Sequence, residues 1–224
     1  MESYLPRLFE ISAICAVIYL VGYCYRSASW SKTVFKTVSI SALALAAVLA
    51  QSSIWLPLAL AACAIGDYYL SRAGAAEFLK GVGAFAVGHI FYILLFLTDP
   101  LSDIGRLSLN ARIATLSALA IISFIMLLIL WFYAGKLRLA VAGYIVIIAM
   151  MGVASATLPW QVYYNTMLLG VMFFILSDLI LSMELFLFPK MSWMHKTAPF
   201  AVWMFYWLAQ VLITAGLVLR GVQV

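Results

Sequence analysis

Charge is what this sequence has least of. Only 9% of its 224 residues are Asp, Glu, Lys or Arg, against 67% hydrophobic residues. A water-soluble domain carries about a quarter charged residues, so that class is excluded. The apolar runs are long and unbroken rather than alternating, which excludes the strands of a membrane barrel. Cysteine is scarce: Cys15, Cys24 and Cys63 lie in or beside apolar runs without CxxC or metal spacing, and read as small buried apolar residues. No HExxH, HxxxD, GxSxG, redox or nucleotide motif occurs, so neither a cofactor nor a bound metal is expected. The formal net charge of +5 is spread singly between apolar runs instead of forming a patch. That pattern argues against nucleic acid and for anchoring in membrane lipid, and no protein partner is evident.

What the sequence has is apolar length. A hydrocarbon core of about 30 Å takes about 20 residues of helix to cross. The chain therefore reads as all-α, a single transmembrane domain over residues 1–224 forming a polytopic bundle of about eight helices. Spans are predicted over 8–25, 34–50, 54–71, 82–98, 112–132, 138–157, 161–187 and 199–219, with the last connection running from Phe188 to Pro199. The first run is long for a signal peptide and is flanked by Glu2 and Glu10 rather than a basic cluster, so it reads as a retained span.

Sorting the basic residues by side gives an orientation. Arg26, Lys32, Lys36, Arg72, Lys80, Lys136, Arg138, Lys190 and Lys196 fall on one face, against Arg7, Arg106, Arg112 and Arg220 on the other. The positive-inside rule puts the first face in the cytoplasm and both termini outside. Asp99 and Asp103, on the sparse face, read as solvated loop acids, with Asp103 capping a turn. Eight spans also divide into two halves of four, with an aspartate in the third span of each.

Those aspartates are the main clue to function. Asp67 and Asp178 each stand inside an apolar run, and an acid at membrane depth faces the bundle interior and marks a site or a path. Counted from the basic face at 1.5 Å per residue, Asp67, His89 and Asp178 share a level, joined by Tyr206 and Gln210. Phe85, His89 and Tyr92 recur at helical spacing, as do Trp203, Tyr206, Gln210 and Thr214, so each helix presents one polar stripe. Gly66, Gly81, Gly88 and Gly170 permit close helix approach around it. Two carboxyls in a low-dielectric space resist ionising together, which supplies one acid and one base. Glu77 and Glu184 read as solvated or paired near the basic surface, and His195 as interfacial.

These residues carry a resemblance. Gly66-Asp67, Gly88-His89 with Tyr92 and Phe96, Gly170 with Phe174, Ser177-Asp178 and Leu181, and Tyr206, Ala209-Gln210, Leu212-Ile213 and Gly216 occur in an order and spacing that resembles the YhhN-like membrane proteins, which include the vertebrate lysoplasmalogenases. The family commonly shows Lys-Pro in span two, where this chain has Lys36-Thr37. The resemblance implies hydrolysis of the vinyl ether bond of a lysoplasmalogen to a fatty aldehyde and a glycerophospho-base; the acid and base that this chemistry needs are then expected at Asp67 and Asp178, with His89 and Tyr206 orienting them. Lysophospholipid is then the substrate. Its tail would lie in the bundle and its polar part near Lys36, Gln210, Arg72, Lys80 or Lys196. A bacterial inner membrane, with the site in its cytoplasmic half, is the expected location. Two other readings use the same acids: a lipid or proton-coupled transporter with the acids as a relay, and an intramembrane aspartyl protease, for which Ala64-Ile-Gly-Asp67 is one glycine short of GxGD.

Overall fold

The computed structural model describes residues 4–189 and 191–221, so Lys190 and Glu2 lie outside the described residues. Among the described residues the chain is helical throughout. The helices are α1 (Tyr4–Ile18), continued by a π-helical turn at Tyr19–Tyr23, α2 (Trp30–Leu49), α3 (Trp55–Leu70), α4 (Ala75–Leu97), α5 (Asn110–Tyr133), α6 (Arg138–Ser155), α7 (Val162–Phe186) and α8 (Trp193–Gly221). Seven of these, with the π turn counted into α1, are long and apolar enough to cross a membrane. The exception is α3, whose 16 residues rise about 24 Å.

Every predicted span is present, and the main differences are at the basic face. Helical hydrogen bonding does not stop where hydropathy does. Ser29 Oγ accepts from the Lys32 backbone N–H at 3.2 Å and starts α2 four residues before the predicted boundary at 34. Lys32 and Lys36 are therefore turns of a helix rather than loop and edge residues. In the same way α4 begins at Ala75 and takes in Glu77 and Lys80. The predicted connection 188–199 is shortened, because α8 begins at Trp193 and runs through Pro199. Proline lacks the N–H that the carbonyl four residues earlier would use, so the first turns of α8 carry one missing bond, at the His195 carbonyl. The opposite face holds another difference. Asp99 is not a solvated acid, since it receives Tyr164 Oη at 2.9 Å and pairs with Arg220, tying the end of α8 to the α4–α5 connection. Asp103 does cap its turn, accepting from the Gly105 N–H at 2.8 Å.

Two antiparallel hairpins, α3–α4 and α7–α8, form the centre of the bundle. In lipid, helices associate through close packing and not through expulsion of water, so small residues set the distance. A Cβ on Gly170 would lie 2.9 Å from the Ala209 carbonyl oxygen, and one on Gly88 would meet Cys63 Sγ at 2.7 Å. Helix α2 packs on α3, α1 on α2, and α6 joins α4, while α5 lies outermost against α6. The core that results is aromatic at the level of the aspartates. Phe85, Tyr92, Phe174, Trp203 and Tyr206 are all buried there.

Candidate active site

Each aspartate comes from the first helix of one hairpin and is held by the second helix of the other. Asp67, on α3, is fully buried, and Tyr206 on α8 donates its hydroxyl to Oδ2 at 2.7 Å. Asp178, on α7, is 5% exposed, and Nε2 of His89 on α4 lies 3.1 Å from its Oδ2. The predicted level and faces therefore hold: the stripes of α4 and α8 point inward, with His89, Gln210 and Thr214 inaccessible to solvent.

A third partner distinguishes the two acids. Lys36 of α2 brings Nζ to 3.1 Å from Asp67 Oδ1, so this carboxylate sits in an ion pair. The ammonium is itself framed by rings, lying 5.8 Å from the centre of Tyr19 and 5.6 Å from that of Trp203, within reach of a cation–π attraction. The Trp203 indole is fixed in turn by donating to the Ala16 carbonyl at 3.1 Å, one turn before α1 widens into its π turn. Helix α2 has no break at Lys36-Thr37, and the lysine reaches the aspartate without a following proline.

At Asp178 the third partner is Tyr144 of α6, whose hydroxyl lies 3.4 Å from Oδ2, at the long limit of a hydrogen bond. His89 Nδ1 is 2.7 Å from the Phe85 carbonyl oxygen. A carbonyl only accepts, so Nδ1 carries hydrogen, and in the neutral ring Nε2 is then an acceptor. Nε2 and Oδ2 approach within ion-pair distance but are not aligned for a linear hydrogen bond. Two acceptors this close would repel, so a proton belongs to one of them: an imidazolium beside a carboxylate, or a neutral ring beside a carboxylic acid. Asp67 is matched by a lysine; Asp178 lies against a histidine.

Both acids open onto one cavity of about 290 Å³, which runs toward the basic face and is lined also by Lys36, Lys32, Glu184 and Tyr206. Several expected residues lie elsewhere. Arg72 and Lys80 do not line this cavity but a separate surface cleft with Trp30, Tyr68 and Tyr69, where Arg72 stacks over Trp30 at 4.1 Å and Lys80 pairs with Glu77 at 2.7 Å. Gln210 is also absent from the cavity lining; its Oε1 accepts from the Tyr92 hydroxyl behind the aromatic layer. His89 stands behind Asp178 and not in the lining, so it positions the carboxyl. Lys36, expected beside a substrate phosphate, is engaged by Asp67. Tyr144 escaped sequence reasoning, although a signal existed: between Arg138 and Ser155 it is the one polar side chain of its helix.

The metal-ligand clusters that Asp and His side chains sometimes form are not found among the described residues. What the groups present offer is proton transfer and charge stabilisation around largely buried carboxyls.

The YhhN family model matches residues 31–217, most of the chain, including both aspartates and the side chains that bond to them. The chain belongs to the YhhN family. The match takes in both hairpins and α2, so the Lys36–Asp67–Tyr206 and Tyr144–Asp178–His89 groups all fall within the family region. No curated protein and no solved structure matched the chain.

Proposed function

We propose that this YhhN-family protein is an intramembrane hydrolase that cleaves the vinyl ether bond of a lysoplasmalogen, releasing a fatty aldehyde and a glycerophospho-base. One observation carries the reading: two carboxyl groups with different partners, a lysine at one and a histidine at the other, open onto one cavity reached from the basic face. Vinyl ether hydrolysis asks for that asymmetry. A proton adds to the carbon β to the ether oxygen, an oxocarbenium ion forms, water captures it, and the hemiacetal collapses to aldehyde and alcohol. Asp178, backed by the proton it shares with His89, is the acid. Asp67, a carboxylate held by Lys36 and Tyr206, faces the developing cation and accepts a proton from the attacking water. By the positive-inside rule the cavity opens to the cytoplasmic leaflet, where the scissile bond of a single-chain lipid lies just below its headgroup.

The test is aldehyde release from lysoplasmenylethanolamine by purified protein in detergent, beside Asp67→Asn and Asp178→Asn. Turnover by the wild type and about 10³-fold less by a folded Asp178→Asn variant is the expected result. A well-folded wild type that releases no aldehyde sinks the assignment.

A further inference from the structure

The cavity has two tiers, and the outer one is chemically unlike the inner one. Along α7, Asp178, Leu181 and Glu184 line it from a single helix face, so Glu184 stands six residues, about 9 Å, nearer the basic surface than the acid. Along α2, Lys32 stands one turn, about 6 Å, outside Lys36. The mouth thus presents one cation and one anion. Lys32 Nζ donates to the carbonyls of Cys24 at 3.2 Å and Arg26 at 2.7 Å, which fixes the ammonium and leaves its third hydrogen free. Glu184 is half-buried, and among the described residues no basic side chain lies within ion-pair distance of it. A half-buried carboxylate without an ion-pair partner among the described residues costs stability; His195 of α8 acts on it electrostatically from beyond ion-pair distance.

Resting on the reading above, we infer that Lys32 and Glu184 form a headgroup site for a zwitterion, Lys32 taking the phosphate and Glu184 the cationic amine. The spacing fits such a lipid. Six bonds separate the vinyl ether carbon from phosphorus, roughly 7 Å at about 1.2 Å of reach per bond, and four more reach the amine nitrogen. The phosphorus reach compares with the rise of about 6 Å from Lys36 to Lys32, and the amine reach of about 12 Å exceeds the rise of about 9 Å from Asp178 to Glu184 by a margin that a bent headgroup takes up. A headgroup with a phosphodiester but no amine leaves Glu184 facing an oxygen-rich, anionic neighbour.

Binding of saturated ether analogues, which cannot be hydrolysed, separates this inference from the catalytic one. The probes are 1-O-alkyl glycerophosphoethanolamine and 1-O-alkyl glycerophosphoglycerol, titrated against the full chain in detergent by tryptophan fluorescence. The wild type is expected to prefer the amine-bearing lipid about tenfold, a ratio of the size one charge-assisted contact supplies. Glu184→Gln should bring the ratio to about one, and Glu184→Lys should reverse it. A ratio that survives Glu184→Gln, a wild type without preference, or a Glu184→Gln variant that binds neither lipid overturns the proposal. If the preference is present but the wild type releases no aldehyde from the vinyl ether substrate, the headgroup site stands and only the hydrolase reading falls.

Discussion

Asp67 and Asp178 are the same residue in the same cavity, yet the protein treats them differently. Asp67 has no exposed surface, an ammonium at 3.1 Å and a tyrosine hydroxyl at 2.7 Å. Asp178 keeps a little exposure, a histidine at 3.1 Å and a tyrosine at 3.4 Å. It also borders a second, narrow apolar crevice between α5, α6 and α7, which Asp67 does not. The difference teaches that burial and bonding, not residue type, set two carboxyls apart. One is paired with a fixed ammonium; the other lies against an imidazole.

The sharpest way to break the comparison is to remove each carboxylate charge separately. Asp178→Asn leaves a neutral histidine a neutral partner, so aldehyde release should fall by about 10³-fold, within the range lost with a positioned acid, while the melting temperature moves little. Asp67→Asn should also abolish release, but it strands Lys36 in the bundle. Breaking one half of a buried pair costs about 3–5 kcal/mol, so this variant alone should melt much earlier in detergent. Lys36→Met in the Asp67→Asn background should restore most of the lost melting temperature and none of the activity. If both aspartate variants melt alike, the ion pair does not distinguish the acids.

A smaller effect is expected at His89. His89→Gln retains an amide donor toward Asp178 but no exchangeable ring proton. It should lower kcat by about 10²-fold with KM within twofold, the pattern of a lost proton reserve rather than lost binding. An equal rise in KM would assign His89 to substrate contact instead. The least consequence belongs to Tyr144→Phe, which removes one long hydrogen bond; a bond of about 0.5–1.5 kcal/mol limits the fall in kcat/KM to about tenfold.

The bundle was legible in the sequence because lipid is a strict solvent. It demands unbroken apolar helix, and eight runs between charges mark eight helices. The basic ends were less legible, since hydropathy registers where lipid ends but not where hydrogen bonding ends; hence the early starts of α2 and α4 and the extension of α8 through Pro199. Within the site, Asp67, His89, Asp178 and Tyr206 could be found because a polar group in hydrocarbon is conspicuous at any register. Lys36 could not be placed on Asp67, because its reach depends on how α2 leans on α3. Arg72 and Lys80 show the same limit in reverse: they share a face with the site in the sequence and a different cleft in space. Asp99 was misjudged because its partners, Tyr164 and Arg220, lie 65 and 121 residues away.

The crossing of the hairpins has a consequence for biogenesis. Membrane helices leave the ribosome one after another, and the α1–α4 half inserts with Asp67 and His89 in place but without Tyr206 for the one and without Asp178 for the other. Neither half holds a complete set of groups. The two carboxyl groups thus gain their full sets of partners only when α7 and α8 dock against the first half. Until then each acid keeps only the partner from its own half, Lys36 for Asp67 and Tyr144 for Asp178.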